Sequence, residues 1–168
     1  MRGWRCTAPD RRQEFYLRRL AFALLVGGAA HTLVCWLTLQ WGFFRGGENA
    51  FWRLFAVIWD GHLALLAFAQ SGANRRLRDP AMTEPLMIWS TLVLLLSVVF
   101  VEQAQLAVMT FFFAVLHQGV FRVRRRAVAR AAVVAVAGYG LVLLSLRLQG
   151  DLTRPAAAWS QWLLFAFT

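Results

Sequence analysis

Apolar residues fall into six runs: Leu20–Phe44, Phe51–Gln70, Leu86–Val101, Leu106–Phe121, Ala127–Leu148, and Trp159 to Thr168, with short polar stretches between them. About 20 apolar residues in a helix rising ~1.5 Å per residue cross a hydrocarbon core of ~30 Å. The first five runs reach or approach that length. The pattern therefore predicts an all-α, polytopic membrane protein, a bundle of about six transmembrane helices over 20–168 behind a basic tail at 1–19. The last run offers only ~15 Å of helix. A terminal carboxylate in hydrocarbon is costly, so the sixth helix is expected to be truncated and the chain to be the front part of a longer polypeptide.

Composition supports the membrane reading, since 60% of the 168 residues are hydrophobic. The net charge of +10 is carried entirely by arginine on the basic side. In a soluble chain it would point to nucleic acid; here it points to lipid headgroups. Positive charge is retained on the cytoplasmic side of a membrane. Arg2, Arg5, Arg11, Arg12, Arg18 and Arg19 precede the first run, Arg75, Arg76 and Arg78 follow the second, and Arg122, Arg124, Arg125, Arg126 and Arg130 follow the fourth. Only Arg45, Arg53, Arg147 and Arg154 fall on the other side, so the N-terminus is expected in the cytoplasm. Cys6 and Cys35 cannot build a disulfide framework, and both are read as free thiols.

The second cytoplasmic loop carries the most distinctive stretch. Gly72 and Asn74 suit a helix end, Asp79 and Thr83 can accept from free amides of the next helix, and Pro80 and Pro85 suit a turn and a first helical turn. Arg75, Arg76 and Arg78 are placed to meet anionic lipid or phosphate. The order Arg78-Asp79-Pro80-Ala81-Met82-Thr83-Glu84-Pro85 resembles a loop in the N-terminal multi-helix membrane sensor domains of bacterial GGDEF-type diguanylate cyclases. Gly119-Val120-Phe121-Arg122 and Ala137-Gly138-Tyr139-Gly140-Leu141-Val142 resemble later helices of the same domains. The resemblance implies a bacterial inner-membrane signal-input domain, a cytoplasmic cyclase after the sixth helix that makes cyclic di-GMP, and a homodimer, because two catalytic domains must meet. A histidine kinase is the alternative output.

Polar residues inside apolar runs are candidate functional groups, because burying them in lipid is costly unless they are partnered. His31 and His62 each lie eleven residues from a span end, ~16 Å deep and so near the midplane. Arg53 and Asp60, seven apart, share one face of the second run. These four form the candidate sensing site. Haem or a metal held by His31 and His62 is one reading and hydrogen bonding to neighbouring helices the other, with no cofactor expected in this segment. Gly27, Gly28, Gly138 and Gly140 are assigned to close helix packing. No nucleophile–base pair, zinc spacing or phosphate loop is visible, so no catalytic residue is expected. A self-contained small transporter or membrane enzyme is the competing functional class.

Overall fold

The computed structural model describes residues 11–101, 125–150, 158–160, 162 and 163. Among them there is no strand. Four helices are each long and apolar enough to cross a membrane: α1 (Arg11–Gln40), α2 (Gly47–Gln70), α3 (Thr83–Phe100) and α4 (Arg125–Leu148). The run expected at Leu106–Phe121 and all but a few residues of the one expected from Trp159 lie outside the described residues.

Each helix starts earlier than its apolar run, because backbone hydrogen bonds do not stop where hydropathy does. Residues 11–19, read as tail, form the first turns of α1; they hold good helix formers and an i,i+4 pair in which Arg18 meets Glu14. The same helix ends at Gln40 rather than Phe44, where Gly42 takes φ 74°. α2 stops at Gln70, and Gly72, at φ 77°, donates its N–H to the Ala69 carbonyl at 3.1 Å.

α1 and α2 pack antiparallel, and the loop joining them closes over the far end of α3. The Arg45 N–H donates to the Phe100 carbonyl at 2.7 Å, and the rings of Phe44 and Phe100 stack with centroids 5.5 Å apart. α3 packs chiefly on α4, and the two run parallel: Glu84, in the first turn of α3, meets Arg130 near the start of α4, and Leu95 lies over Gly138 further along. The buried face of α4 is a ridge of Ala127, Ala131, Ala135, Tyr139 and Leu143, each four residues from the last. Its alanines let α3 approach, and Leu94, Leu95 and Val98 fill the space against Ala135, Tyr139 and Leu143.

These relations bring the start of α1, the α2–α3 loop and the start of α4 to one end of the bundle. Among the described residues that end holds Arg11, Arg12, Arg18, Arg19, Arg75, Arg76, Arg78, Arg125, Arg126 and Arg130, whereas Arg45, Arg53 and Arg147 lie toward the other. The Glu84–Arg130 pair is an accessory to this arrangement, since the Arg130 side chain is 66% exposed. Glu84→Ala is expected to lower stability by less than about 1 kcal/mol in thermal unfolding of the detergent-purified protein.

Candidate functional site

Two polar clusters are built into the bundle, one at the arginine-rich end and one midway along it.

At the arginine-rich end, residues 73–76 form a 3-10 turn that folds the Asn74 side chain inward to 1% exposure. Its amide nitrogen donates to the Pro80 carbonyl at 2.7 Å, and its oxygen accepts from the Gln13 amide at 2.9 Å. The same Gln13 nitrogen donates to the Ala69 carbonyl at 2.9 Å, sharing that oxygen at the end of α2 with the Gly72 N–H. One buried pair thus joins α1, the end of α2 and the loop. Asn74 is therefore more than a helix-ending residue. Gln13, in the stretch read as tail, gave no sequence signal, because a glutamine among arginines looks like solvated surface.

Beyond this pair the loop turns into α3. Asp79 Oδ2 accepts from the Glu84 N–H at 2.8 Å, capping the helix, and among the described residues no hydrogen bond ties the Thr83 hydroxyl. Met82 holds a left-handed backbone, φ 59°, and is buried to 2% against Leu20, Leu24 and Ala69, so packing holds a conformation that L side chains otherwise avoid. Arg75, Arg76 and Arg78 remain exposed, directed away from this frame.

Midway along the bundle, His31 and His62 both lie in the seam where α1, α2 and α3 meet. His31 Nε2 is 2.7 Å from the Ser97 hydroxyl on α3, which itself donates to the Val93 carbonyl at 2.9 Å. His62 Nδ1 lies 2.6 Å from the Ile58 carbonyl, and Trp89 Nε1 approaches the same nitrogen at 3.1 Å. A carbonyl only accepts and an indole N–H only donates, so one Nδ1 cannot bond both. The shorter contact is the one to Ile58, which assigns the Nδ1 proton to that carbonyl and leaves Trp89 as an edge-on neighbour with its ring at 76° to the imidazole. Trp59 completes the seam, donating to the Thr32 hydroxyl at 3.1 Å with its ring 5.8 Å from His62.

Arg53 and Asp60 do not join the histidines. Both are exposed, on the side of α2 that faces away from α1 and α3, whereas His62 is buried to 7%. The structure thus brings His31 and His62 together in the seam and sets Arg53 and Asp60 outside it. The cause is helical phase: Asp60 and His62 are two residues, about 200°, apart.

Comparison of the chain with protein-family models, curated proteins and solved structures yields no match.

The glycines divide similarly. A Cβ on Gly28 would come within 3.2 Å of the His62 ring, one on Gly138 would overlap Leu95, and one on Gly140 would sit 3.0 Å from Trp162 Nε1. At Gly27 a Cβ would meet nothing within 4 Å. The tightest approach is at Gly61, which the sequence reading passed over: a methyl there would overlap the Trp89 indole. No local spacing marks it, because Trp89 lies on another helix. Near the opposite end, Thr32, Leu33 and Trp36 of α1 with Phe51, Trp52, Phe55 and Trp59 of α2 line an open apolar groove of about 370 Å³. Among the described residues no three His, Cys, Asp or Glu side chains converge on a metal position.

Proposed function

We propose that the chain is a polytopic membrane domain with its N-terminus in the cytoplasm of a bacterial inner membrane, acting as the signal-input unit of a cytoplasmic diguanylate cyclase. The observation that carries the membrane part is the segregation of charge. Four helices of membrane-spanning length are assembled so that ten of the thirteen described arginines collect at one end. That is the distribution the positive-inside rule produces, and the arginines at that end meet anionic lipid.

The output assignment rests on the resemblance of the Arg78–Pro85 loop and of the Gly138-Tyr139-Gly140 helix to cyclase-linked membrane domains. The packing supplies a route compatible with it. The seam couples α1 and α2 to α3 through the His31–Ser97 hydrogen bond and the edge-on His62–Trp89 ring contact, and α3 is seated on α4 through Leu95 and Gly138. A stimulus that favours one packing of the seam over another would shift α3 and α4 together, which is all an input domain needs to bias an enzyme. On this reading the loop between α1 and α2 is too short for a folded external sensor, which favours recognition within the bilayer or at its outer face.

Reporter fusions test the membrane reading. Green fluorescent protein is expected to be bright and alkaline phosphatase inactive when fused at the N-terminus or at Arg76, and the reverse at Gly46 or Gly150. Phosphatase activity at Arg76 would overturn the orientation. For the output, overexpressing the full reading frame is expected to raise cellular cyclic di-GMP. Unchanged cyclic di-GMP with histidine autophosphorylation would assign the kinase output instead.

A further inference from the structure

The loop between α2 and α3 lies at the level of the helix ends, since α2 stops at Gln70 and α3 begins at Thr83. On the membrane reading that level is the inner headgroup layer, ~15 Å from the bilayer centre. Arg75, Arg76 and Arg78 are exposed there, and among the described residues no hydrogen bond or ion pair takes any of their guanidinium groups. The nearby acids have other partners: Glu14 meets Arg18, Glu84 meets Arg130, and Asp79 accepts from the Glu84 N–H.

These charges stand on a fixed frame. Asn74 is bonded to Gln13 and to the Pro80 carbonyl, and Met82 is buried against α1 and α2. Arg75 lies back over the turn, its Nε 3.9 Å from where a Cβ on Gly72 would stand. Arg12, also exposed, precedes Gln13 on α1 as Arg75 follows Asn74 in the loop, so the Gln13–Asn74 hydrogen bond brings the backbones of two arginines side by side. Leu77, between Arg76 and Arg78, is 38% exposed. Against an acidic protein surface an apolar side chain in this place would face charge. At the headgroup boundary it reaches acyl chains while the guanidinium groups hold phosphate, and that pairing selects a lipid as the partner.

We infer that the α2–α3 loop binds the phosphate of an anionic phospholipid of the inner leaflet, with Arg75, Arg76 and Arg78 as its cations and Leu77 as its apolar anchor. The inference rests on the membrane reading and deepens it, by naming what the loop takes and what binding does. Guanidinium groups grip phosphate oxygens in bidentate pairs, and each arginine near an anionic surface contributes about fivefold in binding. A headgroup held here lies beside the joint between α1 and the loop. Lipid that binds the joined arrangement better than the open one keeps the Gln13–Asn74 joint closed, so the anionic charge of the leaflet sets how firmly α1 is held to the loop.

Hydrogen–deuterium exchange of the full chain in lipid nanodiscs tests the site. Amides of residues 73–82 and of the first turns of α1 are expected to exchange at least about fivefold more slowly in equal parts phosphatidylglycerol and phosphatidylcholine than in phosphatidylcholine alone. Combining Arg75→Gln, Arg76→Gln and Arg78→Gln is expected to abolish the difference while leaving exchange in phosphatidylcholine unchanged. Arg53→Gln, toward the opposite end of the bundle, is expected to preserve it. Inorganic phosphate added to phosphatidylcholine discs separates the two sources of phosphate. It is expected to protect nothing, and protection equal to that of phosphatidylglycerol would assign a soluble anion and overturn the lipid site. Equal exchange in the two lipids, or a triple variant that keeps the difference, would overturn it as well. The reporter fusions keep the readings apart: correct orientation with lipid-independent exchange removes this site alone, whereas phosphatase activity at Arg76 removes the orientation on which it stands.

Discussion

Gly61→Ala is expected to destabilise the protein by about 2 kcal/mol, although alanine is the better helix former. The added methyl would overlap the Trp89 indole, a rigid ring held between α2 and α3 beside His62, so relief requires the helices to part or the ring to leave its seat. Gly138→Ala meets only the end of the Leu95 side chain, which can rotate aside, and is expected to be milder. Gly27→Ala meets nothing within 4 Å and is expected to be neutral, or to stabilise by up to about 1 kcal/mol through helix propensity. Thermal unfolding of the three variants in one detergent, followed by tryptophan fluorescence, ranks them. Equal effects at 61 and 27 would mean that Trp89 is not seated on α2, and the proposed coupling through His62 would lose its footing.

The other large effect belongs to the buried pair beneath the basic loop. Asn74→Leu removes one of the two partners of the Gln13 amide nitrogen and the side-chain donor to the Pro80 carbonyl in a site that admits almost no water, and each hydrogen-bonding group left short costs about 1–3 kcal/mol. A loss of about 3 kcal/mol is expected, with faster amide exchange in the loop and the first turns of α1. Adding Gln13→Leu to that variant should return part of the loss, because removing both members of a buried polar pair costs less than removing one. A double-mutant cycle reads this directly, and strictly additive effects would show that the two amides do not act as a unit.

Both predictions turn on partners that sequence reading could not supply, and the two glycines show why. Gly27 and Gly61 are alike in the sequence, each inside an apolar run, yet one faces open space and the other an indole that comes from a helix 28 residues further on. Local spacing fixes which residues share a face of a helix, not what that face meets. The phase separating Asp60 from His62 was accordingly legible, whereas the attachment of His31 to Ser97, 66 residues away, was not. Gln13 was hidden for a further reason: its role depends on the 3-10 turn that carries Asn74 inward, and nothing near Gln13 in the chain records that turn.

What the sequence determined by itself is additive and local. The apolar helices, the break at Gly72, the Asp79 cap of α3 and the one-sided arginines follow from backbone rules and from transfer energies summed over short windows. The tertiary structure alone decided that α3 lies parallel to α4, that the loop is locked to α1 through Gln13 and Asn74, and that the His62 face of α2, not the Asp60 face, turns into the bundle. Each of these depends on which helix stands beside which. That choice comes from shape and hydrogen bonding between residues far apart in the chain, where hydropathy is the same for every arrangement.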